Sequence, residues 1–251
     1  MVICYAISNY NSLQASLEKR FAAGFGFNIN YTWSKMLSEQ DSSGWGGHAG
    51  AGQYYQSAYN KGINYGLANF HRAHMFKGNM VYVIPVGKNQ KLLNTSGPVD
   101  WILGGWQLST IFVVETGQPY SPIMGSQNLS GALSGNWFPN IVGDPSLPNP
   151  TISRYFNTAA FAQPAAFKFG NAGRNILIGP KYSDVDFMMA KSFVLPKLER
   201  GRLQLRLDAV NVLNHPSFNN PNANIGTTSA GIITSTSVGG RVVQLGARLS
   251  F

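Results

Sequence analysis

The chain has 251 residues, enough for one large β domain or two smaller ones. Charged residues make up 12%, about half of the ~25% usual in soluble proteins, and 28 glycines, 15 phenylalanines and 11 tyrosines stand in their place. The net charge of +9 comes from 19 Lys and Arg scattered singly, with no dense basic run and no nucleic-acid module, which argues against a DNA or RNA partner.

At the N-terminus, Met1-Val2-Ile3-Cys4-Tyr5-Ala6 lacks the basic region and apolar core of a signal peptide. If the protein is exported, the chain as given is incomplete. Cys4 is the single cysteine, so an internal disulfide is excluded. No apolar stretch reaches the ~18 residues of a membrane helix, and the mean hydropathy of -0.08 is what alternating strands give.

Period-two alternation begins around Tyr10, with Leu13, Ala15 and Leu17 against Ser12, Gln14, Ser16 and Glu18. Residues 2–8 could supply one strand more. Residues 20–24 read as a tight turn. The next strand places Phe25, Phe27, Ile29, Tyr31 and Trp33 on one face and Gly26, Asn28, Asn30, Thr32 and Ser34 on the other. A polar, Gly- and Tyr-rich stretch follows over 35–69.

A third strand carries Phe76, Met80, Tyr82 and Ile84 against Lys77, Asn79, Val81 and Val83, and Pro85 ends it. After a connection over 86–103, Trp106, Leu108, Thr110, Phe112 and Val114 alternate with Gln107, Ser109, Ile111, Val113 and Glu115. Residues 117–182 hold most of the prolines and are too long for a plain connection. A fifth strand over 183–195 has Val185, Phe187, Met189, Phe193 and Leu195 in phase. Lys191 interrupts its apolar face, as a bulge or a position at headgroup level would allow.

A turn over 196–201 leads to Leu203, Leu205, Leu207 and Ala209 against Arg202, Gln204, Arg206 and Asp208. The phase slips at Asn211, which predicts a bulge. After a loop over 214–238, Val243, Leu245, Ala247, Leu249 and Phe251 share one face of the last strand, opposite Val242, Gln244, Gly246, Arg248 and Ser250. A final aromatic in phase with the apolar face is the pattern of a strand that closes an outer-membrane barrel. An ordinary sheet strand ending in Phe would look the same.

Alternation is shared by membrane barrels and soluble β-sandwiches. Three further features favour the barrel. The strands run to about ten residues or more, against a globular mode of roughly five or six. Connections alternate short, long, medium, long, short, long. Aromatics gather at strand ends, at Tyr31, Trp33, Tyr82, Trp101, Trp106, Phe193 and Phe251, in the manner of interfacial girdles. With the C-terminus in the periplasm, the connections over 20–24, 86–103 and 196–201 are expected to be periplasmic. The loops over 35–69, 117–182 and 214–238 are then expected outside.

Several stretches carry a resemblance. They are Tyr10-Asn11-Ser12-Leu13-Gln14 with Leu17-Glu18-Lys19-Arg20-Phe21, Tyr31-Thr32-Trp33-Ser34-Lys35 and Pro85-Val86-Gly87-Lys88. Later come Phe156-Asn157-Thr158-Ala159-Ala160-Phe161, Phe169-Gly170-Asn171-Ala172-Gly173-Arg174-Asn175, Gly179-Pro180 and Val210-Asn211-Val212-Leu213-Asn214-His215-Pro216-Ser217-Phe218. In this order, along nearly the whole chain, they resemble the Oar-like TonB-dependent outer-membrane receptors. Where that family tends to carry an acidic residue before His74, this chain has His71, so charge pairing with Arg72 there loses its support.

The resemblance implies an all-β fold: an antiparallel transmembrane β-barrel segment of seven or eight strands, with long extracellular loops. Residues 1–251 would be the C-terminal portion of a plugged barrel of the roughly 22-strand transporter type. No plug, signal peptide or N-terminal extension is recognised in the sequence. The implied partners are outer-membrane lipid, the rest of the barrel and its plug, and the barrel-assembly machinery. The TonB system would be reached only through those other parts. The strand residues Val243, Leu245, Ala247, Leu249 and Phe251 would serve as the closing and assembly signal.

No enzyme chemistry is expected, and no metal or other cofactor. His71 and His74 are three apart but lie at a strand start without a Cys or acidic partner. Asp184, Asp186 and Asp208 could be read as catalytic carboxylates. On strands they fall with Arg202, Arg206 and Arg248 on the polar face, as lumen-facing ion pairs. The glycine-rich segment 44–50 lacks the strand, lysine and helix of a phosphate cradle, and Ser130 has no His/Asp companions.

The expected function is that of a receptor barrel taking up a bulky substrate. The loop aromatics Trp137, Phe138, Tyr155, Phe156 and Phe161 are its ligand-facing candidates, although loop packing accounts for them equally well. Two alternatives stay open: a small free-standing outer-membrane barrel with a structural or adhesive role, and a secreted glycan-binding β-sandwich.

Overall fold

Period-two alternation materialises as long antiparallel strands. The computed structural model of the chain describes residues 6–40, 56, 60–88, 90–94, 97–124, 137–195 and 201–251. The elements are β1 (Ser8–Ala22), β2 (Phe25–Ser38), the two-residue β3 (Gly66–Leu67), β4 (His74–Val83) and a six-residue helix α1 (Pro98–Leu103). Then come β5 (Trp106–Glu115), the short β6 (Pro119–Tyr120), β7 (Asn140–Ile141), β8 (Phe161–Ala162) and β9 (Leu177–Ile178). The last three are β10 (Tyr182–Val194), β11 (Arg202–Val210) and β12 (Val242–Ser250).

The long strands form one sheet in the order β1-β2-β4-β5-β10-β11-β12, each antiparallel to the next, with β3 added beside β2. β1, at 15 residues, and β12, at 9, are its edges and are exposed along their whole length. The other described sheets are two-stranded, β6 with β9 and β7 with β8.

The register puts the apolar positions in continuous rows. Leu17, Ile29, Gly78, Phe112 and Val185 follow one another across β1, β2, β4, β5 and β10. Met189, Leu207 and Leu245 continue the same face through β11 to β12. At one end of this face Tyr31 stacks on His74. At the other, Phe25 meets Tyr82 edge-on and Trp101 lies 5.7 Å from Phe193.

The opposite face carries Asn28, Asn79, Ile111 and Asp186 in one row, and Met188, Asp208 and Gln244 in another. It is polar with apolar interruptions.

Several local expectations change. The first turn is only Ala23-Gly24, because β1 continues to Ala22 past a register shift after Lys19. Both turn residues have positive φ, 53° and 83°, the mirror-image hairpin geometry that matches strand twist. Residues 1–5, and with them most of the further strand expected over 2–8, lie outside the described residues, and Ser8 belongs to β1. The turn over 196–200 and the segments holding 44–50 and Ser130 also lie outside the described residues.

Lys191 needs no bulge: its pairing is unbroken with Leu205 on one side and Trp106 on the other. Nor does Asn211 form a bulge, since β11 ends at Val210 and Asn211 turns the chain away with φ 50°.

Asn211 is 2% exposed and fixes that exit. Its N–H donates to Asp186 Oδ1 at 3.0 Å and its Nδ2 to the carbonyls of His215 and Gly239 at 3.2 and 2.9 Å. Its Oδ1 accepts from the His215 N–H at 3.0 Å. Asn211→Ala loses the side-chain bonds and places a side chain without local hydrogen bonding at positive φ. The expected cost is about 2 kcal/mol, with faster amide exchange at His215 as the readout. Asn211→Gly should cost less, because it keeps the backbone conformation.

Candidate functional site

The connections at one end of the sheet are short, or compact in the case of 84–105. Those at the other end converge. The described parts of the chain between β2 and β4, between β5 and β10 and between β11 and β12 meet in a single cap. Its backbone joins across loops: Ile123 N–H donates to Ala223 O, Ile225 N–H to Ile123 O, Tyr155 N–H to Gly231 O and Ile233 N–H to Ile152 O, all at 2.7–2.9 Å.

An apolar cluster of Tyr120, Met124, Phe156, Ala160, Phe161, Leu177 and Ile225 sits inside the cap. Phe156 lies 6.1 Å from the Tyr120 ring and 6.0 Å from that of Phe161. The main hydrophobic core of the described chain is therefore here. The sheet's apolar face stays open, as a lipid-facing surface requires.

Buried polar groups tie the loops together. Arg174, 2% exposed, donates from Nη1 to Ser38 O at 2.8 Å and to Ser38 Oγ at 3.2 Å. Asn175 donates from Nδ2 to Leu67 O at 2.6 Å and Asn69 Oδ1 at 2.7 Å, while its own N–H donates to Ser121 Oγ at 2.9 Å. Gln56 Oε1 accepts from the Phe138 N–H at 3.3 Å. Close approach matters too: a Cβ on Gly66 would overlap the Arg174 carbonyl, and one on Gly117 would overlap that of Gly179. The stretch 169–175 was legible only as part of a resemblance. No periodicity marks Arg174 or Asn175 as cross-loop staples.

The aromatic candidates need correcting. Phe138 is 1% exposed, and Trp137, Phe156 and Phe161 are likewise buried. Their faces are spent on packing within the cap, so a ligand could reach them only if the cap opened. Tyr155 is half-buried. The exposed aromatics of the same loop are Phe167 and Phe169. Burial also pushes the hydroxyls of Tyr120 and Tyr155 above their ordinary range, so both remain neutral phenols.

The six strand charges share the polar face but do not form one network. Arg206 pairs with Asp208 at 2.7 Å. Asp186 accepts instead from the Asn211 N–H, and Asp184 Oδ1 is buried without a hydrogen-bond partner among the described residues. Asp184 and Asp186 lie at the cap end of β10, whereas Arg202 and Arg248 lie at the turn end. The expected ion pairing is met by Arg206 with Asp208, and Asp184 and Asp186 lie too far along the sheet from Arg202 and Arg248 to join it. Val243, Leu245, Ala247 and Leu249 occupy the apolar side of edge strand β12, and Phe251 follows it, fully exposed.

Arg72 has its partner elsewhere: its Nε contacts Glu115 Oε2 at 2.9 Å, at the end of β5. The two histidines serve separate roles. His74 Nδ1 shares a 2.8 Å hydrogen bond with the Tyr31 hydroxyl, whereas buried His71 accepts the Met36 N–H at 3.4 Å.

Burial, then the charges of Arg72 and Lys35, hold the His71 pKa below its ordinary value of 6.5. A depressed pKa favours the neutral form in the fold. Its stabilisation is full above the unfolded value near 6.5 and is lost as pH falls through the lower folded value. Lowering the pH from 7.5 to 5 should therefore loosen the junction between cap and sheet. The check is Met36 amide exchange, corrected for its intrinsic pH dependence; His71→Gln should flatten the difference.

The sequence matches the family model described as Outer membrane beta barrel domain over residues 2–244. No curated protein and no solved structure matches the chain.

Proposed function

The chain belongs to the outer membrane beta barrel domain family, and from that premise we propose that it is part of a larger barrel, that of a TonB-dependent receptor of the Oar-like type. It is a protein of the bacterial outer membrane that crosses with antiparallel strands. In this reading the cap faces outward and meets a bulky substrate, the polar face lines the lumen, and a plug fills the barrel.

Strand direction carries the proposal. Every neighbouring pair of long strands is antiparallel, so β1 and β12 run the same way. Joining them directly would make a parallel seam, whereas bacterial barrels close with an even number of antiparallel strands. In lipid, two long unpaired edges would leave rows of unsatisfied N–H and C=O groups. Pairing the edges with an odd number of further strands removes both problems. The apolar residues Ile111, Val113 and Met188 on the otherwise polar face suit contact with a plug better than contact with free water.

The small-barrel alternative is tested by refolding the 251-residue chain alone into detergent. We expect no heat-modifiable band on gels and no discrete conductance in planar bilayers. A closed, conducting barrel from this chain alone would overturn the larger-barrel reading. The transporter reading is tested separately, by capture of the protein purified from outer membranes on the periplasmic domain of TonB. Failure to bind would reject it.

A further inference from the structure

We infer that the connection between β4 and β5 is an interfacial foot, a lipid-binding element that lies on the apolar face of the sheet at its turn end and inserts into the phospholipid monolayer there. Its described residues 92–94 and 97–103 expose Leu92, Leu93, Val99, Trp101, Ile102 and Leu103 at 44–68% each. Six large apolar side chains in so short a stretch exceed what a surface facing water ordinarily shows.

Their placement names the occupant. Leu93 and Leu103 line a shallow cavity with Trp106, Leu108 and Met189, which belong to the apolar face. The exposed patch is thus continuous with the surface that family membership assigns to lipid.

The foot is fixed rather than tethered. Lys191 reaches from β10 and donates from Nζ to the carbonyls of Ile102 and Gly104, at the C-terminal end of α1. The Trp106 Nε1–H donates to the same Ile102 carbonyl at 3.0 Å. The ammonium also lies 4.8 Å from the Trp106 ring and 5.0 Å from that of Phe193. A cation held between aromatic rings and helix-end carbonyls suits the boundary between headgroups and acyl chains.

In the same connection Lys88 and Lys91 are exposed. Asp100 is turned inward, accepting the Lys88 N–H at 2.7 Å. Exposed basic and exposed apolar groups thus share one short connection, the composition of an interfacial amphipathic segment. Apart from the membrane location of the sheet, the inference does not depend on the transporter reading.

The test places an environment-sensitive fluorophore at Ile102→Cys, in a Cys4→Ser background of the intact protein. The protein is reconstituted in phosphatidylethanolamine–phosphatidylglycerol vesicles brominated at shallow or deep acyl positions. Parallel labels at Leu245→Cys and Thr151→Cys report the lipid-facing strand and the cap.

The Ile102 label should lose most of its emission to shallow bromines, less to deep ones, and little to aqueous iodide. The Thr151 label should respond to iodide alone. If the Ile102 label behaves like Thr151 while Leu245 is quenched by bromolipid, the foot is not in the membrane and the inference fails. If Leu245 is also untouched, the sheet's own membrane placement fails, and the foot with it. Leu92→Cys, on the other side of the connection, repeats the measurement should Ile102→Cys not fold.

Discussion

Replacing Phe156 with alanine removes about 3–5 kcal/mol from the cap, the range for deleting a buried phenylalanine ring. The ring is 3% exposed and is the shared neighbour of Tyr120 and Phe161, so its loss leaves a cavity that two rigid rings cannot collapse to fill. The effect should be confined by architecture. The strands are held by ladder hydrogen bonds that do not pass through the cap, so unfolding of the sheet should change far less than protection of the loops. Limited proteolysis and hydrogen exchange over 137–178, compared with β4 and β5, would show the cap opening while the sheet stays paired. Equal loss in both would mean that cap and sheet unfold as one unit.

Tyr120→Phe is the counterpart. The Tyr120 hydroxyl is buried without a hydrogen-bond partner among the described residues, so removing it should be neutral or stabilise the cap by about 1 kcal/mol.

The second large effect comes from two adjacent residues that face opposite sides. Phe112→Arg places a cation near the middle of the apolar face, at an expected cost of roughly 2–4 kcal/mol at the bilayer midplane. It also uncovers Gly78, over which the Phe112 ring lies, and removes the ring contact with Phe76 at 5.2 Å. Ile111→Arg puts the same group on the polar face, opposite Asn79 and Asp186 and away from acyl chains, and should cost clearly less than Phe112→Arg. The measurement is urea unfolding of the intact protein in phospholipid vesicles. Equal costs at the two positions would reject the assignment of faces; a larger cost at Ile111 would reverse it.

Lys191 shows how one residue can be read correctly in kind and wrongly in means. Its position in an apolar row is plain from the spacing Val185, Phe187, Met189, Lys191, Phe193. What accommodates it is the end of α1, which arrives from a connection whose path no local pattern describes. Arg72 is similar: its carboxylate, Glu115, lies 43 residues away at the end of another strand, and no sequence neighbour supplies it.

The sequence by itself determined the strands, their faces and hence the class of fold. Side-chain direction in an extended chain alternates residue by residue, so Phe25 to Trp33 or Leu203 to Ala209 declare their apolar side without knowledge of any partner. It also placed Asp184, Asp186, Arg202, Arg206, Asp208 and Arg248 on the polar side, for the same reason.

Only the tertiary structure decided what the loops do. There the backbone has no period, and the contacts that matter join distant positions, as Arg174 does with Ser38 across 136 residues. Trp137, Phe138, Phe156 and Phe161 look identical in sequence whether they await a ligand or form a core. Their burial resulted from three loops meeting at one end of the sheet, a consequence of strand order that side-chain alternation cannot encode.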